Sequence, residues 1–379
     1  MKTLSARYRI VTPFFAGGAQ PTKFGGIRPP SIKGALRFWW RALQWQAHFD
    51  GASHNPIAAL RSLHAAESRL FGTSADQGSQ AKFLLSIEET NLSPNPPPKP
   101  GAGNSYLLGQ GIYHYRDGYT KEGRAGGSFT LHLLLHPSVT DEERRSLEEA
   151  LLVFGLLGGI GSRARHGLGS VAIQELTCEG AQPFFTVPQT LDALKEAITL
   201  LVQRKAPLPP FTAFSRETRI DVSLTGSDAW KLHDQIGKEE MRYRSYGCNG
   251  KVLDTPSERN FRDDHDLIFN FLRSGKADKS PRRIVFGLPH NYFFSSLKKN
   301  VEVIPGKHER RASPLFLHLH PIEDGRFAAI HALLPATFLP PEEGIRIKAG
   351  KEVTTPARVD WKILHSFLDR FPERITVHG

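Results

Sequence analysis

Apolar and polar residues alternate along SARYRIVTPF, near the start of the chain, and a period of two predicts a strand with one buried face. KFLLSIEE (82–89) and SFTLHLLLHP (128–137) have the same character. Between the first two strands, SIKGALRFWWRALQW changes to a helical period. Ile32, Leu36, Trp39 and Leu43 fall on one stripe with Trp40 beside it. A helix is predicted from Ser31, since Pro29 and Pro30 disfavour helix before it and serine accepts from first-turn amides. DEERRSLEEALLVFGLLGG opens with acids and closes with glycines, as a helix does, and GSVAIQEL (169–176) returns as a strand. The first half therefore reads strand, helix, strand, strand, helix, strand, the order of a split βαβ or ferredoxin-like unit.

Beyond residue 180, TLDALKEAITLLVQR (190–204), DDHDLIFNFLRSG and the closing VDWKILHSFLDRF read as helices. TRIDVSLTG, PRRIVFG, SPLFLHLHPI and RFAAIHALLP read as strands, so a second α+β unit of related layout is expected. SPNPPPKPGAGNS (93–105) reads as a surface loop and RDGYTKEGRAGG (116–127) as a mobile, mostly basic connection. A chain of 379 residues suits two domains.

Composition narrows the partners. No run of about 18 apolar residues is present, and MKTLSARYRIVTPFF lacks the features of a signal peptide, so a protein of the cytoplasm, with no membrane partner, is expected. Cys178 and Cys248 stand too far apart for a familiar zinc site, and His318 and His320 lack a third ligand at a familiar spacing, so no metal is expected. The net charge of +11 points to a polyanion, and its distribution sharpens that reading. No acid precedes Asp50, whereas Lys2, Arg7, Arg9, Lys23, Arg28, Lys33, Arg37 and Arg41 do. Two more acid-free windows run from Ala150 to Gln174 and from Lys279 to Val301.

On the helix that starts near Ser31, Lys33, Arg37, Arg41, Gln44 and His48 share an arc with no Asp or Glu at i±4. Cations spaced by a helical turn of about 5.4 Å can follow a nucleic-acid backbone. The segment LLGGIGSRARHGLGSV (156–171) contains a literal G-x-G-x-x-A match at Gly159, Gly161 and Ala164. A dinucleotide fingerprint follows a strand and opens a helix, whereas this one follows a helix and opens a strand, so no nucleotide cofactor is expected. Glycine lets backbone amides approach phosphate, and Arg163, Arg165 and His166 add charge between the two glycine triplets. His166, His48, His318 and His320 are candidates for acid–base catalysis, and RYRSYG (242–247) for base stacking.

Gly159-Ile160-Gly161, then Gly167-Leu168-Gly169-Ser170, resembles the glycine-rich loop of the RAMP superfamily, the RNA-binding proteins of CRISPR systems. TPFFAGG with IRPPSIKGALRFWWRAL, and downstream RRIVFGLP and RRASPLFLHL, are similar to the blocks of its first-numbered subunit family in the type III-B effector, the Cmr complex. The resemblance implies an α+β fold of two tandem ferredoxin-like (RRM-like, βαββαβ) domains, 1–178 with the glycine-rich loop and 179–379 after it. It implies a non-catalytic ribonucleoprotein subunit that holds the 3′ portion of guide RNA, helps capture target single-stranded RNA and contacts other Cmr subunits. Carried onto matching positions, the RNA-binding residues are Arg28, Lys33, Arg37 and Arg41, with Gly161, Ser162, Arg163, Arg165, His166, Gly167 and Gly169 from the loop. The alternative is a metal-independent endoribonuclease that processes guide RNA with histidines, His166 and His48 foremost. The second half shows no second glycine-rich loop, and the aromatic RNP signature is absent.

Overall fold

A computed structural model describes residues 2–74, 78–89, 91–202 and 204–379. The first half runs β1 (Thr3–Ile10), α1 (Pro29–Gly51), α2 (Pro56–Phe71), β2 (Phe83–Glu89), α3 (Ala102–Leu108), β3 (Gly127–Leu135), α4 (Asp141–Leu157) and β4 (Val171–Cys178). Its strands stand in the order β2-β3-β1-β4, all antiparallel, which is the ferredoxin-like order. The second half runs α5 (Leu191–Val202), β5 (Arg219–Gly226), α6 (Ala229–Arg244), α7 (Arg262–Ser274), β6 (His290–Phe294), β7 (Lys299–Pro305), β8 (Leu315–Pro321), β9 (Phe327–Leu333), β10 (Ile345–Lys348), β11 (Glu352–Thr355), α8 (Lys362–Leu368) and β12 (Ile375–His378). The order β8-β9-β5-β12 repeats the first sheet. The antiparallel sheet β6-β7-β10-β11, packed with α7, is an insertion into this second unit.

Both faces of the second sheet are covered. Leu315, Leu317, Leu319, Ala329 and Leu333 meet α6 and α8, whereas Phe316, Ile220, Val222, Ala328, Ile330 and Ala332 join the core of the first half. Helix α4 lies between the units, which is why Ala150 through Leu157 are all buried and the sequence there is apolar all round. Its start is fixed by a capping box, in which Thr140 Oγ1 accepts from the Glu143 amide (3.1 Å) and the Glu143 carboxylate from the Thr140 amide (3.0 Å).

Several segments depart from the sequence pattern. Helix α1 begins at Pro29, not Ser31, because proline at the first positions lacks only an N–H that the helix leaves unpaired, and Arg28 is the N-cap. PRRIVFG is a 3-10 turn at Arg282–Phe286 rather than a strand. The Asp264 carboxylate accepts from the amides of Arg282 and Arg283, both at 2.8 Å, and curls the chain there. The loop expected over 93–105 ends in α3, and the connection at 116–127 is pinned by Arg124 pairing with Phe14 and by a Lys23–Glu122 bridge of 2.7 Å. The helix expected over 190–204 is observed at Leu191–Val202, and Gln203 lies outside the described residues. Strand β12 went unread because four half-exposed residues carry too little pattern.

Helices α3 and α6 approach closely where glycines meet. A Cβ on Gly103 would lie 1.9 Å from the Asp234 carbonyl oxygen, and one on Gly237 2.2 Å from the Gly103 carbonyl oxygen. The Asp234 carboxylate also accepts from the amides of Gly103 (2.9 Å) and Asn104 (3.1 Å), tying the first half to the second. Gly103→Ala or Gly237→Ala is expected to cost about 1–3 kcal/mol by overpacking, read as a lower urea midpoint. An unchanged midpoint would contradict this close approach.

Candidate nucleic-acid interface

The glycine-rich loop leaves α4 at Gly158 and reaches β4 at Ser170, and it is threaded between the two units. The Leu317 amide donates to the Arg165 carbonyl (2.9 Å), and the Leu319 amide to Ser170 Oγ (3.1 Å). The Arg165 guanidinium donates to the Ser313 carbonyl and lies over the rings of Phe316 (4.4 Å) and Phe38 (5.3 Å). Burial there, with Arg311 nearby, pushes its pKa down to about 10. Gly167 and Gly169 are buried at positive φ, where a Cβ would strike the Leu317 side chain and, at 2.2 Å, the Ile160 carbonyl oxygen. Their amides go to Ala164 and Pro13 carbonyls. The expectation that these two glycines offer amides to a ligand is therefore corrected: they let one chain segment pass another.

The basic arc of α1 also differs from its sequence picture. Helix α2 delivers Glu67, 3% exposed, beneath it. Arg37 Nε donates to Glu67 Oε1 at 2.6 Å, and Arg41 lies 3.7 Å from Oε2. The partner that i±4 spacing could not supply comes from 30 residues away. Lys33 sits over the Phe83 ring (5.6 Å), and partial burial, with Arg37 near it, lowers its pKa. Gln44 reaches Glu149, and His48 Nδ1 meets Ser62 Oγ at 2.8 Å.

Arg28, Gly161 and Ser162 come together at a cleft of about 510 Å³. Ser31, Ala35 and the N-terminus of α1 form one side, the Gly17–Gly18 turn another, and Gly159 to Ser162 the floor. Gly25 and Gly18 pass so closely that a Cβ on Gly25 would lie 2.6 Å from Gly18 Cα. The wall is consequently bare backbone. Lys121, which sequence reading missed inside a segment taken as a mobile connection, completes the rim. No carboxylate lines this cleft, and neither Arg28 nor Lys121 has an ion pair among the described residues. Arg163 stands apart from it, exposed at φ +62°, its guanidinium against Gly109.

Residues 7–172 match the model of the RAMP superfamily. The chain is similar to the CRISPR system Cmr subunit Cmr1-1 of Pyrococcus furiosus, 24% identical over 363 residues that cover 90% of this chain and 87% of the relative. Its fold matches that of apo Cmr1 from Pyrococcus furiosus, with a TM-score of 0.53 and 19% identity over 100% of this chain and 99% of that one. A chain of the type III-B Cmr-beta complex bound to cognate target RNA gives a TM-score of 0.53 at 15% identity, covering 98% and 99%. No helix among the described residues is long and apolar enough to cross a membrane.

Five histidines, His166, His233, His318, His320 and His331, gather at the seam. His318 Nδ1 donates to the Gly158 carbonyl (2.8 Å), and its Nε2 meets His320 Nδ1 at 3.2 Å. His233 Nε2 donates to the His166 carbonyl (2.8 Å) while Asn104 donates to its Nδ1 (2.9 Å). His331 Nδ1 meets Ser223 Oγ, and His166 lines a small interior cavity with Glu240, Arg244 and His331. Tyr243 of RYRSYG is likewise interior, packed on Phe261, Phe286 and Phe367 with its hydroxyl on the Ile363 carbonyl (2.9 Å).

Burial lowers the pKa of His233, His318 and His331 from an ordinary 6.5 to about 4, so all three are neutral in the folded protein at pH 7. Between pH 6.5 and 4 the unfolded chain binds more protons than the folded one. Stability is thus fully present above pH 6.5 and is lost as pH falls toward 4, by about 3 kcal/mol per histidine. Urea midpoints at pH 7.5, 5.5 and 4.5 should decline in that order, and a flat series would refute the assignment.

Proposed function

We propose that this chain is an RNA-binding, non-catalytic subunit of a type III-B CRISPR ribonucleoprotein effector. It contacts the 3′ region of guide RNA and helps capture target single-stranded RNA, beside other Cmr subunits. The observation that carries the reading is the cleft where Arg28, Lys121, Ser162 and the glycine backbone converge without a carboxylate. Charge-assisted contacts to phosphate fit such a wall, and bare backbone admits the close approach a phosphodiester requires. Similarity to Cmr1-1 along 90% of the chain supports the assembly.

The histidines support a non-catalytic role. His166, His318 and His320 have their pKa values lowered by burial, His166 and His318 to about 4, and they serve the seam rather than an open cleft. A general acid–base pair needs a pKa near working pH and access to the scissile phosphate. His48, the remaining candidate, has no second histidine hydrogen-bonded to it and bonds Ser62.

The double variant Arg28→Glu, Lys121→Glu should weaken single-stranded RNA binding at least tenfold, measured by fluorescence anisotropy, with the melting temperature retained. Its slope of log K against log salt should shrink by about 0.7 for each phosphate that the variant no longer neutralises. Unchanged affinity in the folded variant would refute the site. The isolated wild-type protein should leave repeat RNA uncut, and specific cleavage abolished by His48→Ala would favour the nuclease instead.

A further inference from the structure

Beside Phe38 and Arg41, midway along α1, a second cleft, about 680 Å³, opens between the α1–α2 pair and the segments that precede β8 and follow β9. Its volume falls within the range of about 300–1,000 Å³ usual for small-molecule sites. Its walls carry the rings of Phe38, Phe211 and Phe338 and the guanidiniums of Arg41, Arg310 and Arg311. This lining differs from that of the first cleft, which has five glycines and a single aromatic ring, Phe15.

The cations here are poorly satisfied. Arg311 lies 5.5 Å over the Phe338 ring and has only long hydrogen bonds, to Thr212 Oγ1 (3.5 Å) and the Thr337 carbonyl (3.4 Å). Both Arg41 Nε and Arg311 Nε are buried without a hydrogen-bond partner among the described residues. Arg310 is exposed and has no ion pair among the described residues. The one carboxylate on the lining, Glu67, is already shared by Arg37 and Arg41. Burial lowers the pKa of Arg163, with Arg244 and Arg310 near it, and that of Arg165, with Arg311 near it.

An apolar peptide would cover the rings but strand these guanidiniums away from water. A nucleotide satisfies both, since its base stacks on aromatic faces while its phosphate takes charge-assisted hydrogen bonds. We propose that this cleft holds one nucleotide of the bound single-stranded RNA, its base among Phe38, Phe211 and Phe338 and its phosphate on Arg310 and Arg311. The proposal rests on the RNA-binding reading above and adds a base-holding subsite to it.

The full-length protein is titrated with a short single-stranded oligoribonucleotide and with an abasic oligomer of equal length. The base-bearing RNA should bind about tenfold more tightly. Phe211→Leu should remove most of that preference, Arg310→Ala should weaken both oligomers, and Arg28→Glu should weaken both while keeping the preference. Equal affinity of the wild-type protein for the two oligomers, or full affinity in folded Arg310→Ala, overturns the subsite and leaves the RNA-binding reading standing. Failure of both oligomers to bind overturns that reading as well.

Because Phe211 also packs edge-on against Trp45, Phe211→Leu can lose its fold, and a second readout is independent of that variant. Ultraviolet cross-linking of thiouridine-substituted RNA to the wild-type protein should mark residues 210–212, 308–311 or 337–339. Cross-links confined to residues 15–35 and 159–170, or protection of the cleft from hydrogen exchange by another subunit but not by RNA, overturns the proposal.

Discussion

The passage of the glycine-rich loop between two sheets is the constraint on which the rest of the structure depends. Its backbone accepts from β8 through Arg165 and from α6 through His166, and the Gly158 carbonyl accepts from His318. A side chain at Gly167 or Gly169 would collide with the segments it passes, so glycine is required there by packing. Once the seam is closed, the far end of the loop, Gly159 to Ser162, is held beside the start of α1, and the first cleft follows. The same loop is thus a structural joint at one end and a wall of the first cleft at the other.

Electrostatics follow from the same arrangement. Arginines of the loop and of the segment before β8 meet without enough carboxylates to neutralise them, and burial against aromatic rings raises the cost of leaving them unpaired. Glu67 balances part of α1 and leaves Arg28, Lys121, Arg163 and Arg310 facing outward. The neutral histidines behind the seam hold two sheets by hydrogen bonds that work only when each imidazole has one donor and one acceptor.

Much of the fold was legible because period and order are local properties. The first unit could be read strand by strand, and alternation in SPLFLHLHPI already separated Leu315, Leu317 and Leu319 from Phe316, His318 and His320. What the pattern could not carry was the identity of the second surface. PRRIVFG has the apolar run of a strand, yet a carboxylate from α7 turns it, and β12 is too short and too exposed to register. Arg28 and Ser162 were singled out and do share a cleft, while Lys121 lay in a segment whose glycines suggested motion.

By itself the sequence determined the ferredoxin-like order of the first half, the basic character of the chain, and the helix-to-strand context of the glycines at Gly159 to Ala164, since each rests on neighbours along the chain. Only the tertiary structure decided which cations are free. Arg37 is paired with a carboxylate from the next helix that Arg41 meets only at 3.7 Å, Arg165 is stacked inside the seam, and Arg28 and Lys121 have no ion pair among the described residues. Charge is fixed by composition, but its availability depends on what folding places within a few ångströms, where Coulomb attraction and desolvation act.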